Sequence, residues 1–340
     1  MNIYLDESKP YFKANMHCHS TNSDGRLTPH VLKEEYKKRG YSIIAFTDHD
    51  HILNCSYLND DEFLAITSYE LDITDPTVPW DNVTRQTIPT THINLYAIDP
   101  DNDVTLCMSA EDDDKGTEEV RAKVKYDGRG DMRVWTPEAI SKIVDYAHEN
   151  GFLVCYNHPD WSLEYESEYL NYGDFDFIEV FNTGSYISGH DSFEQAFDVM
   201  LKKGRHVAAI AADDNHNSRP FDDPRNASFG GWICINTDKL EYGEIMTALK
   251  EHRFYASTGP AIYSITRDKD TIKVKTSPAR RIAKPTEGRQ SIAVFAPEGE
   301  LITEATFKAR PNERFFRITV EDERGKKAYS QMYPAHDSDE

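Results

Sequence analysis

Apolar residues fall in two rhythms along this chain. Over the first 260 positions, short apolar runs alternate with stretches of helical period, and the runs at 42–46, 63–66, 152–156, 176–181 and 206–211 are nearly unbroken. Unbroken runs of this length suit strands covered on both faces. Residues 91–98 and 229–236 alternate less regularly and complete the set. Helix signals lie between the runs: Thr28 followed by Pro29, Thr136 followed by Pro137, and stop glycines at Gly40 and Gly151. Ser192 with Gln195 suggests a capping box for a helix ending at Gly204, and another helix is expected from Tyr242 to Glu251. Strand, helix, strand units of this length read as parallel crossovers, and about seven of them predict a closed, irregular (β/α)7 barrel over residues 1–260. Beyond 260 the rhythm changes to short alternating strands with Asp, Gly and Pro turns. These predict a small antiparallel β domain at 261–334, followed by an acidic tail at 335–340. Residues 99–133, rich in Asp and Gly, read as a solvated acidic insertion.

Metal-type ligands recur where the predicted strands end. His17 and His19 are two apart, so on a strand both rings project from one face while Cys18 projects from the other. Ser23-Asp24-Gly25 follows, and the next strand leaves as Thr47-Asp48-His49-Asp50. Adjacent parallel strands would bring these exits to one rim, where imidazole and carboxylate together suit a divalent cation. Downstream exits carry Glu70, then Asn157-His158-Pro159-Asp160, Asn182-Thr183-Gly184 and Ala212-Asp213-Asp214-Asn215-His216. Asp214 and His216 again share one face of an extended segment, with Asp213 competing for the ligand role. His92 stands at the head of its strand rather than the end, and periodicity leaves its role open.

HxH, then SDG, then TDHD resembles the opening of the PHP (polymerase and histidinol phosphatase) superfamily of metal-dependent phosphoesterases. HINLY at His92 is similar to a histidine-headed strand of that family, NHPD to its HP motif, and DDNH at 213–216 to its SDxH, with Asp213 replacing serine. The resemblance implies a PHP-type barrel holding two or three divalent cations through His17, His19, Asp24, His49, Glu70, His92, His158, Asp214 and His216. It further implies that His17, His19, Glu70 and Asp214 hold one ion, that Glu70 bridges to a second on His92 and His158, and that Asp24, His49 and His216 take a third. Asp24 stands where some members have histidine. Asp48, Asp50 and His51 would orient the ligands from behind. The imidazole-rich set favours zinc, manganese or iron over magnesium. The activity implied is hydrolysis of a small phosphomonoester or nucleotide by a metal-activated hydroxide. Arg219 is a candidate phosphate clamp and His190 a candidate proton donor to the leaving group. A carbamate- or ester-cleaving metallohydrolase and a non-catalytic, metal-stabilised binding module are the alternatives.

Composition narrows the partners. The formal charge is −21, from 38 Lys and Arg against 59 Asp and Glu, which opposes binding to nucleic acid polymers or anionic membranes. The expected partner is a small anionic phosphorylated substrate. Between residues 263 and 334 the sign reverses, with Arg280, Arg281, Lys284 and Arg289 either facing the substrate or blocking strand edges. Five widely spaced cysteines without a CxxC, no apolar leader and no long apolar run lead to the expectation of a soluble cytoplasmic protein with reduced thiols.

Overall fold

The computed structural model describes residues 1–74, 87–289 and 291–337; the last residues of the expected acidic tail, 338–340, lie outside the described residues. In chain order the first half comprises β1 (Asn2–Leu5), β2 (Tyr11–Cys18), α1 (Pro29–Lys37), β3 (Tyr41–Phe46), β4 (Leu64–Thr74), β5 (Thr90–Ala97), β6 (Val104–Thr105), α2 (Glu118–Arg121), β7 (Lys125–Tyr126), α3 (Pro137–Glu149) and β8 (Phe152–Tyr156). There follow α4 (Glu166–Tyr169), β9 (Phe177–Asn182), α5 (Thr183–Ile187), α6 (Glu194–Lys202), β10 (Ala208–Ala212), β11 (Trp232–Asn236), α7 (Tyr242–Lys250) and β12 (Phe254–Ser257). The last third is all strand: β13 (Ile262–Asp268), β14 (Thr271–Ala279), β15 (Arg281–Lys284), β16 (Ile292–Phe295), β17 (Ile302–Lys308), β18 (Phe315–Phe316), β19 (Thr319–Glu321), β20 (Lys327–Ser330) and β21 (Tyr333–Pro334). No helix among the described residues is long and apolar enough to cross a membrane.

Helix starts follow the local chemistry. Thr28 and Thr136 each accept a hydrogen bond from the backbone N–H three residues on, with proline in the first helical turn. The capping box expected from Ser192 and Gln195 does not form; α6 starts at Glu194 and its N-cap Phe193 makes no side-chain bond. Its amphipathic face, Ala196, Phe197, Met200 and Leu201, is buried and holds it in place.

The main sheet corrects the expectation of a closed, parallel (β/α)7 barrel. It is mixed and open, in the order β10-β9-β8-β5-β4-β3-β2-β11-β12-β20-β19-β15-β16. Strands β2, β3 and β4 are parallel, as are β8, β9 and β10, but β5 runs against both of its neighbours and β11 against β2. Residues 213–231, between β10 and β11, carry no helix. Apolar periodicity reports burial and not strand direction, so nothing in the pattern distinguishes these two strands from their parallel neighbours. Between β10 and β2 there is no ladder, only a single bridge from Cys18 to Asn215 and the backbone bonds Asp214 N–H to His17 C=O (2.9 Å) and His19 N–H to Asn215 C=O (3.2 Å).

The same sheet continues into the C-terminal third through the β12–β20 pairing. A four-stranded antiparallel sheet, β1-β13-β14-β17, packs on that extension. Ile265, Ile272, Val274 and Phe307 meet Tyr255, Ile282, Val320 and Ala328 in a second apolar core. The chain's first strand thus belongs to the sheet built from its last third. Residues 99–133, expected as a solvated insertion, are mostly exposed or half-buried but are anchored at a few buried points. β6 and β7 pair, the backbone N–H groups of Cys107 and Met108 bond Asp127, and Asp113 is buried against His51 (2.8 Å) and Tyr126 (2.7 Å). A carboxylate with two good donors can be buried where an unpaired one cannot, and this is how one acid of the run comes to be an anchor.

Arg317 ties the C-terminal strands to α6. Its fully buried guanidinium reaches Asp198 (2.9 Å) and Glu194 (2.8 Å), and Lys327 adds a second cation to Glu194 (2.8 Å). Removing one member of such a group strands the others. Arg317→Ala is expected to cost about 3 kcal/mol in urea unfolding; a change below about 0.5 kcal/mol, the level of an ordinary surface substitution, would contradict this role.

Candidate metal centre

Strand direction assembles the centre. β2, β3 and β8 end at one rim with His17, His49 and His158 at or just beyond their last residues, and β5, being antiparallel, begins there with His92. This is why a histidine at the head of a strand joins histidines at the tails of others. Glu70 departs from expectation: it lies inside β4, which runs on to Thr74 because β5 pairs with it from Ser68 to Thr74. The exit of β3 stays beside it, through Asp50 N–H to Glu70 C=O (2.7 Å) and Glu70 N–H to Asp48 C=O (3.1 Å).

Glu70, 1 % exposed, is the hub of the cluster. Its two oxygens lie 3.3 Å from His17 Nε2, 3.3 Å from His19 Nε2, 3.1 Å from His49 Nδ1, 3.1 Å from His92 Nδ1 and 3.4 Å from His158 Nε2. Asp214 forms a second focus, 3.1 Å from His19 Nε2, 3.5 Å from His17 Nε2, 3.7 Å from His216 Nδ1 and 3.8 Å from His158 Nε2. Asp24 forms a third, more exposed one, 3.3 Å from His216 Nε2, 3.8 Å from His19 Nδ1 and 3.9 Å from His49 Nε2. All nine expected ligands therefore meet. Donor atoms within 4.8 Å of one another group seven of them, as His17, His19 and Glu70; His49, Glu70 and His92; and His19, Asp24, His49 and His216, with Asp214 in none of these groups. A further group, His17, His158 and Glu179, contains a residue outside the expected nine.

Glu179 is the carboxylate that the sequence reading missed. It is fully buried in β9, accepts from His17 Nδ1 (2.8 Å) with one oxygen, and from His158 N–H (3.0 Å) and Asn182 Nδ2 (2.9 Å) with the other. Nδ1 of His17 is thereby engaged, and Nε2 faces the cluster. His158 is held likewise, its Nδ1 on Ser162 Oγ (3.1 Å) and its Nε2 towards Glu70. An acidic residue in the middle of the otherwise apolar run Phe177, Ile178, Val180, Phe181 was the available signal, since a buried strand carries such a group only with partners. Asn157, donating to Glu70 (2.8 Å), supports the hub in the same way.

The two aspartates at 213 and 214 separate cleanly. Asp213 turns away from the histidines and accepts from Tyr36 Oη (2.8 Å), Thr183 Oγ1 (2.8 Å) and the N–H groups of Phe229 (2.8 Å), Gly230 (2.9 Å) and Gly231 (3.1 Å). Asp214, at φ 53°, turns into the cluster, and His158 at φ 25° and Asp50 at φ 62° share this left-handed backbone. Such conformations cost of order 1 kcal/mol or more in residues with side chains and gather where side chains must be aimed. Asp48 anchors the loop behind His19, accepting from Ser20 N–H (2.7 Å) and from Ser23 N–H (3.1 Å) and Oγ (2.9 Å). A side chain on Gly25 would place its Cβ 2.5 Å from the His19 carbonyl oxygen, which accounts for the glycine in SDG. Asp50 pairs with Arg133 (3.1 Å), and His51 holds the 99–133 segment through Asp113.

His190 lines a cleft that His92 lines as well. Arg219 makes no contact with the cluster; its nearest charged partner is Asp223, at 3.8 Å, and its side chain is exposed.

The electrostatics are those of a site built to hold cations. Burial opposes charge on every member, but Asp214 and Glu70 outweigh it and raise His17 well above the ordinary imidazole range and His19 to about 10. Burial and the neighbouring His19 push His49 down to about 3, while Glu70 and Asp72 outweigh burial and bring His92 up to about 9. Glu70 and Asp214 are held far below the carboxylate range against their burial, chiefly by His17. Rings pulled in opposite directions within one cluster signal too many nitrogens for the protons available. His17 Nε2 and His19 Nε2 lie 3.2 Å apart, and buried His19 Nδ1 and His49 Nδ1 make no hydrogen bond. Nitrogens that face one another and two carboxylates form a donor set for divalent cations once the rings give up their protons, and the arrangement fits a metal-dependent hydrolase.

No protein-family model matches the chain, and no curated protein matches it. Solved structures similar to it include a two-domain protein from Bacteroides vulgatus containing a predicted PHP-like metal-dependent phosphoesterase (14 % identity, 96 % of this chain and 95 % of that one, TM-score 0.46). A protein from Bifidobacterium adolescentis, provisionally named a metal-dependent phosphoesterase, is similar over 64 % of this chain and 93 % of that one (16 % identity, TM-score 0.37). An amidohydrolase from Chromobacterium violaceum, with sulfate bound and no metal, is similar over 60 % and 87 % (17 % identity, TM-score 0.32).

Proposed function

We propose that this chain hydrolyses small phosphate monoesters or nucleotides in a metal-dependent reaction, the activity that its resemblance to the PHP superfamily implies. The observation that carries this reading is a fully buried glutamate ringed by five imidazoles, which a protein maintains at high desolvation cost. His17, His19, Glu70 and Asp214 would hold one cation, His92 and His158 with Glu70 a second, and Asp24, His49 and His216 a third. Bound divalent cations supply positive charge to phosphoryl oxygens and lower the pKa of water near neutrality.

The chain's own residues do the rest. Glu179 and Ser162 fix which ring nitrogen His17 and His158 present, and Asp48 with Gly25 sets the loop that carries Asp24. Glu70 and Asp214 provide the negative charge that concentrates cations in the centre. His190, which lines the cleft with His92, would give a proton to a departing alcohol. The clamp role first considered for Arg219 is not carried forward, because its guanidinium turns to Asp223.

A second reading, attack on a carbamate or carboxylic ester, is favoured by one observation: Arg133, which reaches Asp50 on the loop after His49, is occupied by that carboxylate and by the Asp72 carbonyl. A carbonyl substrate needs no cationic clamp, whereas phosphate would gain none from Arg133.

Three outcomes are expected. Chelator should abolish turnover of aryl and nucleoside monophosphates, with manganese or zinc restoring it; metal-loaded protein inert to phosphates but active on aryl carbamates or esters would establish the second reading instead. Glu179→Gln should keep the fold by circular dichroism while lowering metal affinity about 10- to 100-fold, read by metal analysis after dialysis; full metal retention would remove the orienting role. Asp214→Asn should lose metal and activity, whereas Asp213→Asn should lose about 2 kcal/mol of stability, because its new amide faces backbone N–H donors. The opposite pattern in melting and metal content would reverse the assignment of the two aspartates.

A further inference from the structure

Beside the metal centre lies a cleft of about 380 Å³ whose chemistry is unlike that of the cluster. It shares His92 with the centre and is lined by the apolar Trp161, Leu163 and Ile88 and by the polar Asp72, Thr74, Thr90, Ser188 and His190. Trp161 comes from the loop after His158 and packs edge-on to both His92 (centroids 5.4 Å, 60°) and His158 (4.8 Å, 73°). The loop that places it is firmly built. Its backbone bonds are Ser162 N–H to His158 C=O (3.1 Å), Glu164 N–H to Pro159 C=O (3.2 Å) and Thr90 N–H to Ser162 C=O (3.1 Å). Buried Glu164 joins Tyr156 (2.7 Å) beneath it. Despite this the indole is left 41 % exposed. A large aromatic side chain held in place at the mouth of a polar cleft offers an apolar face to a ligand ring.

The polar part of the lining defines the rest of that ligand. Asp72 carries Thr74 Oγ1 (2.7 Å) and Thr90 Oγ1 (2.9 Å) on one oxygen, which lies 3.7 Å from His92 Nε2. A carboxylate flanked by hydroxyls accepts from alcohols and repels anions. No lysine or arginine lines the cleft among the described residues, and the chain as a whole is at −21. A second phosphate is therefore disfavoured here, and so is a purely hydrocarbon group.

We infer that the cleft of Trp161 and Asp72 binds the alcohol part of the substrate, and that this part is an uncharged, hydroxyl-bearing ring, a monosaccharide or its nucleoside form. The inference rests on the phosphoesterase reading above and narrows it to monophosphates of such rings. In the reaction, water forms a new P–O bond, the ester P–O bond breaks, and the ring departs as an alcohol after gaining a proton. The residues of the centre, with the cations they would hold, would carry the phosphate, and the ring would lie against the indole until it leaves.

The test compares manganese-loaded wild-type protein with Trp161→Ala and Trp161→Phe on ribose 5-phosphate, adenosine monophosphate, fructose 1,6-bisphosphate and glycerol phosphate. Trp161→Ala should raise KM for the ring monophosphates about tenfold more than for glycerol phosphate, with kcat changed far less, and Trp161→Phe should recover most of the loss. Whether ribose 5-phosphate or adenosine monophosphate shows the larger effect tells the sugar from the nucleoside. An equal change on all four esters, no change on any, or a preference for the bisphosphate would overturn the inference. Should the wild type turn over none of them, the hydrolase reading fails separately. Calorimetry with adenosine and methyl riboside then decides the cleft: saturable binding that is lost in Trp161→Ala upholds it, and no binding ends it.

Discussion

A carboxylate buried among imidazoles is the constraint on which this structure depends. Glu70 sits in the middle of β4 with virtually no solvent contact and has five histidine nitrogens within 3.4 Å. Left alone, such a group would take up a proton or destabilise the strand by several kcal/mol. Its neighbours must therefore supply positive charge, as protons on the rings or as cations shared between them. Because burial and a neighbouring ring hold His49 low while the carboxylates hold His19 and His92 high in the same small volume, protons alone serve this purpose poorly.

Much of the surrounding architecture can be understood as holding that group in register. β3 and β4 run parallel so that His49 and Glu70 lie side by side, and β5 runs the other way so that His92 starts where they finish. Behind the rings stands a layer of buried acids that do not face the centre: Glu179 on His17, Asp48 on the loop before Asp24, Asp113 on His51 and Asp213 on the 229–231 backbone. These explain part of the acidic excess. Each has its own donors, Glu179 also lying within metal-ligand reach of His17 and His158, while Glu70, Asp214 and Asp24 each lie against three or more histidines.

The C-terminal third contributes by continuity of the sheet and not by a ligand. β12 and β20 carry the main sheet beyond β11, and the β1-β13-β14-β17 sheet closes a second core over the extension. Arg280 and Arg281, which the charge reversal singled out, pair with Glu321 at an edge of that extension. They serve strand packing there. The 99–133 segment has the more direct connection, through Arg133 on Asp50 and Asp113 on His51, and it stiffens the exit of β3 from outside.

The sequence by itself determined which residues were candidate ligands and in what order they occur. The pairing of His17 with His19 and the polar exits that carry His49, His158 and His216 were legible because alternation along a strand and the punctuation after it are local, and local rules need no fold; the rest of the set came from the family resemblance, with the choice between Asp213 and Asp214 open. Helix starts at Thr28 and Thr136 were legible for the same reason. What only the tertiary structure decided is whatever depends on strand direction and on a distant partner. The antiparallel course of β5 turned His92 from an ambiguous strand head into a neighbour of Glu70, and the mixed, open sheet replaced the closed parallel barrel. Glu179 became visible only once β9 lay against β8 and faced His17, 162 positions away in sequence. Asp213 and Asp214 are adjacent in the chain and chemically identical; the left-handed turn at Asp214 sends one to backbone amides and the other to the histidines, and that choice belongs to the backbone and not to the residues.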